Sequence, residues 1–174
     1  MSQQKAIFAG GCFWCSQSEF DGKPGVSRTV SGYIGGTADT ANYTAVCSGR
    51  TQHIEAVLVE YDPEIISYSE LLDLYWRHID PTDAGGQFAD RGSQYQPVIY
   101  TFDQAQKEVA QASLDQLQAS NRFVAPVAVE IKPATPFFDG EDYHQNYHQS
   151  NPGHYQAYRE GSGRQPFINQ HWKS

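Results

Sequence analysis

The residues best placed to do chemistry in this chain are two cysteines separated by two aromatics. They stand in Ala6-Ile7-Phe8-Ala9-Gly10-Gly11-Cys12-Phe13-Trp14-Cys15. The apolar run suits a buried strand, the glycines allow a tight turn, and Ser16 to Phe20 can start a helix. Cys12 then falls at or near a helix N-terminus, where unpaired N–H groups and the helix dipole favour a thiolate. An ordinary cysteine is only about 3% ionised at neutral pH, and lowering its pKa to about 7 ionises half of it. Cys15 is spaced to close a disulfide on Cys12, so thiol redox chemistry is the first reading. The pair could also be half of a zinc site, or two inert buried thiols. A zinc site needs two more ligands, whereas Cys47 is single and the six histidines are scattered.

Glu55 is the second candidate. In His53 to Tyr61 both alternating sets of residues are mostly apolar, the pattern of a central strand covered on two faces. A carboxyl sharing a side with Val57 and Val59 would lose its hydration and stay protonated, ready to act as a general acid. It could equally point to solvent at a strand end or pair with an arginine. Tyr43, Asp90 and Tyr95 lie in loops, where each taken alone has a structural or solvated role. His144 and His148 have the i, i+4 spacing of one helix face, but packing or surface positions explain them without a third ligand. Cys47, after Val46, suits a small apolar hole.

The elements that must position these groups follow from periodicity. Val26 to Ile34 reads as a second strand and residues 37–52 as a loop with a helical turn. Ser67 and Glu70 form a capping box for a helix over Tyr68 to His78. Residues 80–95 are loop-like, Gln96 to Phe102 is a strand, and a long amphipathic helix runs from Asp103 to about Ala119. A last strand over Pro126 to Ile131, a short helix near Glu141 to His148 and a polar tail over 151–174 complete the chain. The interleaving does not give uniform βαβ crossovers, so the expected class is α+β, a mixed β-sheet with packed helices. With 174 residues, 39% of them hydrophobic, one domain spanning 1–174 is expected. The net charge of −8 argues against a nucleic-acid backbone or an anionic membrane as partner. Neither a signal-peptide core nor a run of roughly 18 apolar residues is found, and a cytoplasmic protein is the expectation.

Five blocks in order resemble the A-type peptide methionine sulfoxide reductases over nearly the whole chain. They are Gly11-Cys12-Phe13-Trp14, Tyr43-Thr44-Ala45-Val46-Cys47-Ser48-Gly49, His53-Ile54-Glu55-Ala56-Val57 with Tyr61-Asp62-Pro63, Asp90-Arg91-Gly92-Ser93-Gln94-Tyr95, and Glu141-Asp142-Tyr143-His144-Gln145. The resemblance implies a ferredoxin-like two-layer sandwich and repair of oxidised proteins by reduction of methionine S-sulfoxide, free or protein-bound. It implies that Cys12 attacks the sulfoxide sulfur and that Glu55, helped by Tyr43 and Tyr95, protonates the oxygen. Phe13 and Trp14 would form a pocket for the methyl group, and Asp90 would help hold substrate. A Cys12 sulfenic acid would then condense with Cys15, and thioredoxin or a similar dithiol would restore both thiols. No metal or organic cofactor is implied, and a monomer is expected.

Two departures stand out. Many relatives carry Gly where this chain has Cys15 and keep resolving cysteines near the C-terminus, but residues 151–174 contain none. Before Asp90 the chain reads Gly85-Gly86-Gln87-Phe88, where many relatives are more polar. A disulfide oxidoreductase of thioredoxin type and a zinc-binding module are the competing readings.

Overall fold

The computed structural model describes residues 3–172; the first two and last two positions of the expected domain and tail lie outside the described residues. The chain opens with β1 (Gln4–Ala9), α1 (Phe13–Phe20), β2 (Val26–Ile34), α2 (Tyr43–Cys47), β3 (Ile54–Tyr61) and α3 (Tyr68–Arg77). A short hairpin, β4 (Gly86–Gln87) and β5 (Asp90–Arg91), precedes β6 (Val98–Thr101), α4 (Gln104–Ala119), β7 (Glu130–Pro133) and β8 (Phe137–Asp139). Helices α5 (Tyr147–Ser150), α6 (Pro152–Gly161) and α7 (Arg164–His171) end it.

One six-stranded sheet runs in the order β7-β6-β1-β3-β2-β8. Its pairings are antiparallel except for β6 with β7, so the sheet is mixed and the class is α+β. The inner four strands, β6-β1-β3-β2, with α1 and α3 as connections, make the ferredoxin-like unit, and β7 and β8 widen it at its two edges. β3 lies between β1 and β2, as its two apolar faces require. Val57, Val59 and Tyr61 pack with Phe8, Phe20, Leu71, Leu72 and Tyr75 on the helix-covered face. Ile54 and Ala56 join Ile7, Ala9, Ile34 and Val98 on the other. Alternation therefore turns Glu55 toward the helices, on the side of Val57.

The ring of Phe8 sits 5.0 Å from that of Phe20 and 5.2 Å from that of Tyr75, locking α1 and α3 onto β1. The Tyr75 hydroxyl donates to the Ala9 carbonyl at 2.7 Å and fixes the end of β1 just before the Gly10-Gly11 turn. Ser67 and Asp103 accept from the N–H groups of Glu70 and Gln106; the first is the capping box of the sequence, and the second makes Asp103 the N-cap of α4 rather than its first helical residue.

Four expectations are modified. The last strand begins at Glu130, because the N–H of Val127 goes to Gln118 and that of Ala128 to Pro81, and a further strand, β8, follows. Residues 80–95 hold the β4–β5 hairpin within the loop. The helix over Glu141 to His148 is broken: Asp142–His144 form a 3-10 turn, and Asn146 takes a left-handed conformation (φ 53°) before α5. His144 and His148 therefore do not share a helix face. The polar tail is helical, as α6 and α7, and reaches the site. No helix among the described residues is long and apolar enough to cross a membrane.

Gly32 marks the closest backbone approach in the sheet, where a Cβ would lie 2.3 Å from the Phe138 carbonyl oxygen and 2.5 Å from the Phe137 ring. Gly32→Ala is expected to push β8 away and cost roughly 1–3 kcal/mol in a denaturant titration. An unchanged midpoint would show that β8 is not held against β2.

Candidate active site

Everything in the site is arranged around the turn from β1 into α1. Gly11 makes that turn with φ +86°, and a Cβ there would stand 2.6 Å from the Gln87 side chain and 2.8 Å from the Arg164 guanidinium. Cys12 is the N-cap of α1, and its carbonyl accepts from the N–H groups of Cys15 (3.2 Å) and Ser16 (3.3 Å). The next N–H, that of Phe13, donates to Glu55 Oε1 at 3.1 Å. A carboxyl from the centre of the sheet thus caps the helix that carries both thiols.

Cys12, Phe13, Trp14, Tyr43, Glu55, Asp90, Tyr95 and Tyr158 line one cavity of about 60 Å³. Seven of these are the residues singled out in the sequence; Tyr158 is the addition. Cys15 does not line the cavity and is fully buried behind it.

Glu55 is 1% exposed, and burial raises its pKa to about 8, against the lowering effect of the Phe13 N–H. It is protonated at neutral pH. Desolvation also pushes the Tyr43 and Tyr95 hydroxyls well above their ordinary range, so both remain hydrogen-bond donors. Asp90, on β5, is raised to about 6 by burial, opposed by Arg164, and the Tyr158 hydroxyl donates to its carboxylate.

The thiols depart from the expectation of a Cys12 thiolate. Burial pushes the Cys12 thiol up, reinforced by its hydrogen bond to Cys15. That hydrogen bond lowers Cys15 to about 5 against its own burial, aided by Arg164, Arg159 and the Tyr155 hydroxyl. Burial and the shared hydrogen bond thus weigh against charge on Cys12, while that hydrogen bond and the charges of Arg164 and Arg159 favour it on Cys15. Cys47 is not packed in an apolar hole; it is partly exposed, and its sulfur is hydrogen-bonded to the Tyr43 and Tyr95 hydroxyls.

Aromatic and polar supports hold the walls. Trp14 stacks on Tyr147 at 3.9 Å, meets Tyr158 edge-on at 5.8 Å, and donates from Nε1 to His144 Nδ1 at 3.0 Å. Glu141 accepts from the Tyr33 hydroxyl (2.7 Å) and the Tyr43 N–H (2.8 Å), setting the start of α2. Gln145 brackets β2 by accepting from the Ser31 N–H (2.9 Å) and donating to the Ser31 carbonyl (2.8 Å). His148 lies apart from this wall, 3.1 Å from Asp21. Among the described residues no group of three or more His, Cys, Asp or Glu is placed to hold a metal ion.

Sequence reasoning missed Tyr158 and Arg164. Pro152 at the first turn of α6 and Gly163 with φ +97° after it are ordinary helix start and stop signals, so the helix was legible. Its destination was not, since the polar surface of α6 gives no hint that one face closes a cavity.

Comparison with known proteins adds three findings. The family described as peptide methionine sulfoxide reductase matches residues 4–174. Peptide methionine sulfoxide reductase MsrA of Bacillus velezensis is 50% identical over 99% of both chains. Among solved structures, reduced Mxr1 from Saccharomyces cerevisiae is similar with a TM-score of 0.80 and 29% identity over 87% of each chain. Mxr1 in complex with Trx2 aligns with a TM-score of 0.56 and 22% identity over 83% of this chain and 84% of that one, a likeness of fold.

The Glu55 carboxyl gives a test of the site in the resting protein. Its pKa is about 8 in the folded chain and in the ordinary range when unfolded. A raised folded pKa means that the stability it contributes is present below about pH 4.5 and is lost as pH rises through about 8. Glu55→Gln removes that loss, so its stability relative to the parent should improve by roughly 3–5 kcal/mol between pH 5 and pH 9. Urea titrations at several pH values measure it. A difference that does not vary with pH would mean that the carboxyl is not held neutral.

Proposed function

Because this chain belongs to the peptide methionine sulfoxide reductase family and reduces methionine sulfoxide to methionine, we propose that Cys12 is its nucleophile and Glu55 its acid. The observation that carries this reading is that Cys12 and a Glu55 carboxyl raised to about 8 line the same cavity. A sulfoxide oxygen leaves poorly unless protonated, and a carboxyl kept neutral by burial can supply the proton. The Tyr43 and Tyr95 hydroxyls complete a set of donors for that oxygen. Phe13 and Trp14 offer an aromatic wall to the methyl group, and Asp90 takes the amide or amino end. Separate places for oxygen and methyl select one hand at sulfur, the S epimer.

The atoms balance in two steps. Cys12 takes the oxygen as a sulfenic acid and methionine is released. The Cys15 sulfur then attacks the Cys12 sulfur, water leaves, and a Cys12–Cys15 disulfide remains. A dithiol reductant of the thioredoxin class returns both thiols; the Mxr1–Trx2 complex is a precedent in a protein of this fold. The whole chain acts as one domain, a cytoplasmic monomer whose charge of −8 keeps it off nucleic acid and anionic membranes.

Cys12→Ser should abolish turnover, since a hydroxyl is a far weaker nucleophile than a thiolate. Glu55→Gln should lower the rate by about 100-fold, and the parent rate should fall as pH rises past about 8. Both are read as methionine formed from a chiral sulfoxide. A disulfide exchanger without sulfoxide chemistry would be indifferent to Glu55, and an unchanged rate in that variant overturns the assignment.

Cys15→Ser should release about one methionine per chain and then stall with thioredoxin, as expected for loss of the resolving thiol. Continued cycling would remove Cys15 from that role. Cys47→Ser keeps a hydroxyl beside Tyr43 and Tyr95 and should cycle; a stall there would bring Cys47 into recycling.

A further inference from the structure

The C-terminal helices supply Tyr155, Arg159 and Arg164, the groups that favour a thiolate on Cys15. Arg164 is 1% exposed, and its guanidinium donates to the carbonyls of His78 (2.5 Å), at the end of α3, and Gly10 (3.0 Å), in the turn before Cys12. Arg159 donates to the Tyr155 hydroxyl at 2.9 Å and to Gln165 at 2.8 Å, and lies 3.9 Å from Glu19. The Tyr155 hydroxyl is in turn hydrogen-bonded to the Cys15 sulfur. Cys15 is wholly buried under this layer, whereas Cys12 opens into the substrate cavity.

Resting on the disulfide cycle proposed above, we propose that recycling has a fixed direction, with the reductant attacking the sulfur of Cys12 and Cys15 leaving onto the floor built by Tyr155, Arg159 and Arg164. In this step the reductant thiolate forms a bond to Cys12 and the Cys12–Cys15 bond breaks. Its electron pair goes to the Cys15 sulfur. The second thiol of the reductant then attacks the reductant sulfur of the mixed disulfide and releases Cys12. Access and leaving-group chemistry agree on this direction. Thiol–disulfide exchange goes through the sulfur that can be reached, and it is faster when the departing thiolate is the better stabilised one. The resting bias of charge toward Cys15 has the same origin. Arg159 and Arg164 are thus positioning residues for recycling, supplied by a segment that carries no cysteine of its own.

The test uses the full chain, oxidised with methionine S-sulfoxide in the absence of reductant. Formation of the Cys12–Cys15 disulfide is first verified by mass; if it does not form, the resolving role of Cys15 fails before the direction of recycling is reached. A thioredoxin variant with its second active-site cysteine changed to serine is then added, free thiols are alkylated, and the products are cleaved with chymotrypsin. Cleavage after Phe13 or Trp14 separates the two cysteines. The expected product has thioredoxin on Cys12 and the alkyl group on Cys15. Thioredoxin on Cys15, or an oxidised chain that does not react with the variant, overturns the proposal.

A second measurement isolates the arginine charge. Arg159→Gln should slow disulfide reduction by about tenfold, more than it slows the first release of methionine. Arg159→Lys should recover most of that loss, because it keeps the charge while giving up the forked contacts to Tyr155 and Gln165. Failure of lysine to rescue would make Arg159 a packing residue only and remove its part in the proposal.

Discussion

A single hydrogen bond, from the Phe13 N–H to Glu55, holds together what the rest of the structure supplies. It joins the first turn of α1, which carries both reactive sulfurs, to the start of β3, an interior apolar strand of the sheet. The strand decides the chemistry of the carboxyl. Water is excluded on the helix-covered face by Phe8, Phe20, Val57 and their neighbours, so the charged form of Glu55 has little to solvate it. One N–H lowers the pKa and burial raises it by more, and the balance lies near 8. A carboxyl at a helix N-terminus would ordinarily be ionised. Here desolvation outweighs the dipole.

The same competition explains the thiols. A helix N-terminus alone favours a thiolate at Cys12, and that was the expectation from sequence. Burial and the adjoining Cys15 oppose it, and the Arg159 and Arg164 charges favour the thiolate on Cys15 instead. The cavity lining therefore combines a neutral acid and two neutral tyrosines with the Cys12 sulfur and the Asp90 carboxylate. The positive sulfur of a bound sulfoxide then faces the Cys12 sulfur, and its oxygen faces the neutral Glu55 carboxyl and the tyrosine hydroxyls.

Much of this was legible in the amino-acid order, for reasons that differ from residue to residue. β3 announced itself because apolar residues on both alternating sets fit only an interior strand, and that placed Glu55 among Val57 and Val59 without knowledge of their neighbours. Ser67 and Asp103 marked helix starts by local hydrogen bonding, which needs no tertiary context. The Cys12 turn was visible in its glycines, though only the packed structure shows that Gly11 also makes room for Gln87 and Arg164. Long-range consequences were not legible. The left-handed Asn146, which separates His144 from His148, is fixed by Gln17 accepting its N–H at 2.9 Å from 129 residues away. The approach of α6 to the cavity depends on Tyr158 reaching Asp90 and on Trp14 lying between Tyr147 and Tyr158, none of which leaves a periodic trace. The direction of the Cys12 shift was hidden for the same reason, since burial belongs to the fold and not to the motif.

Whether Glu55 is an uncharged acid in the resting protein can be read from infrared spectroscopy of its carboxyl group. Difference spectra between the parent and Glu55→Gln, taken across a pH series, isolate one side chain. A protonated carboxyl band is expected at neutral pH, giving way to a carboxylate band as pH rises through about 8. A carboxylate band already complete at neutral pH, titrating instead in the ordinary acidic range, would contradict it.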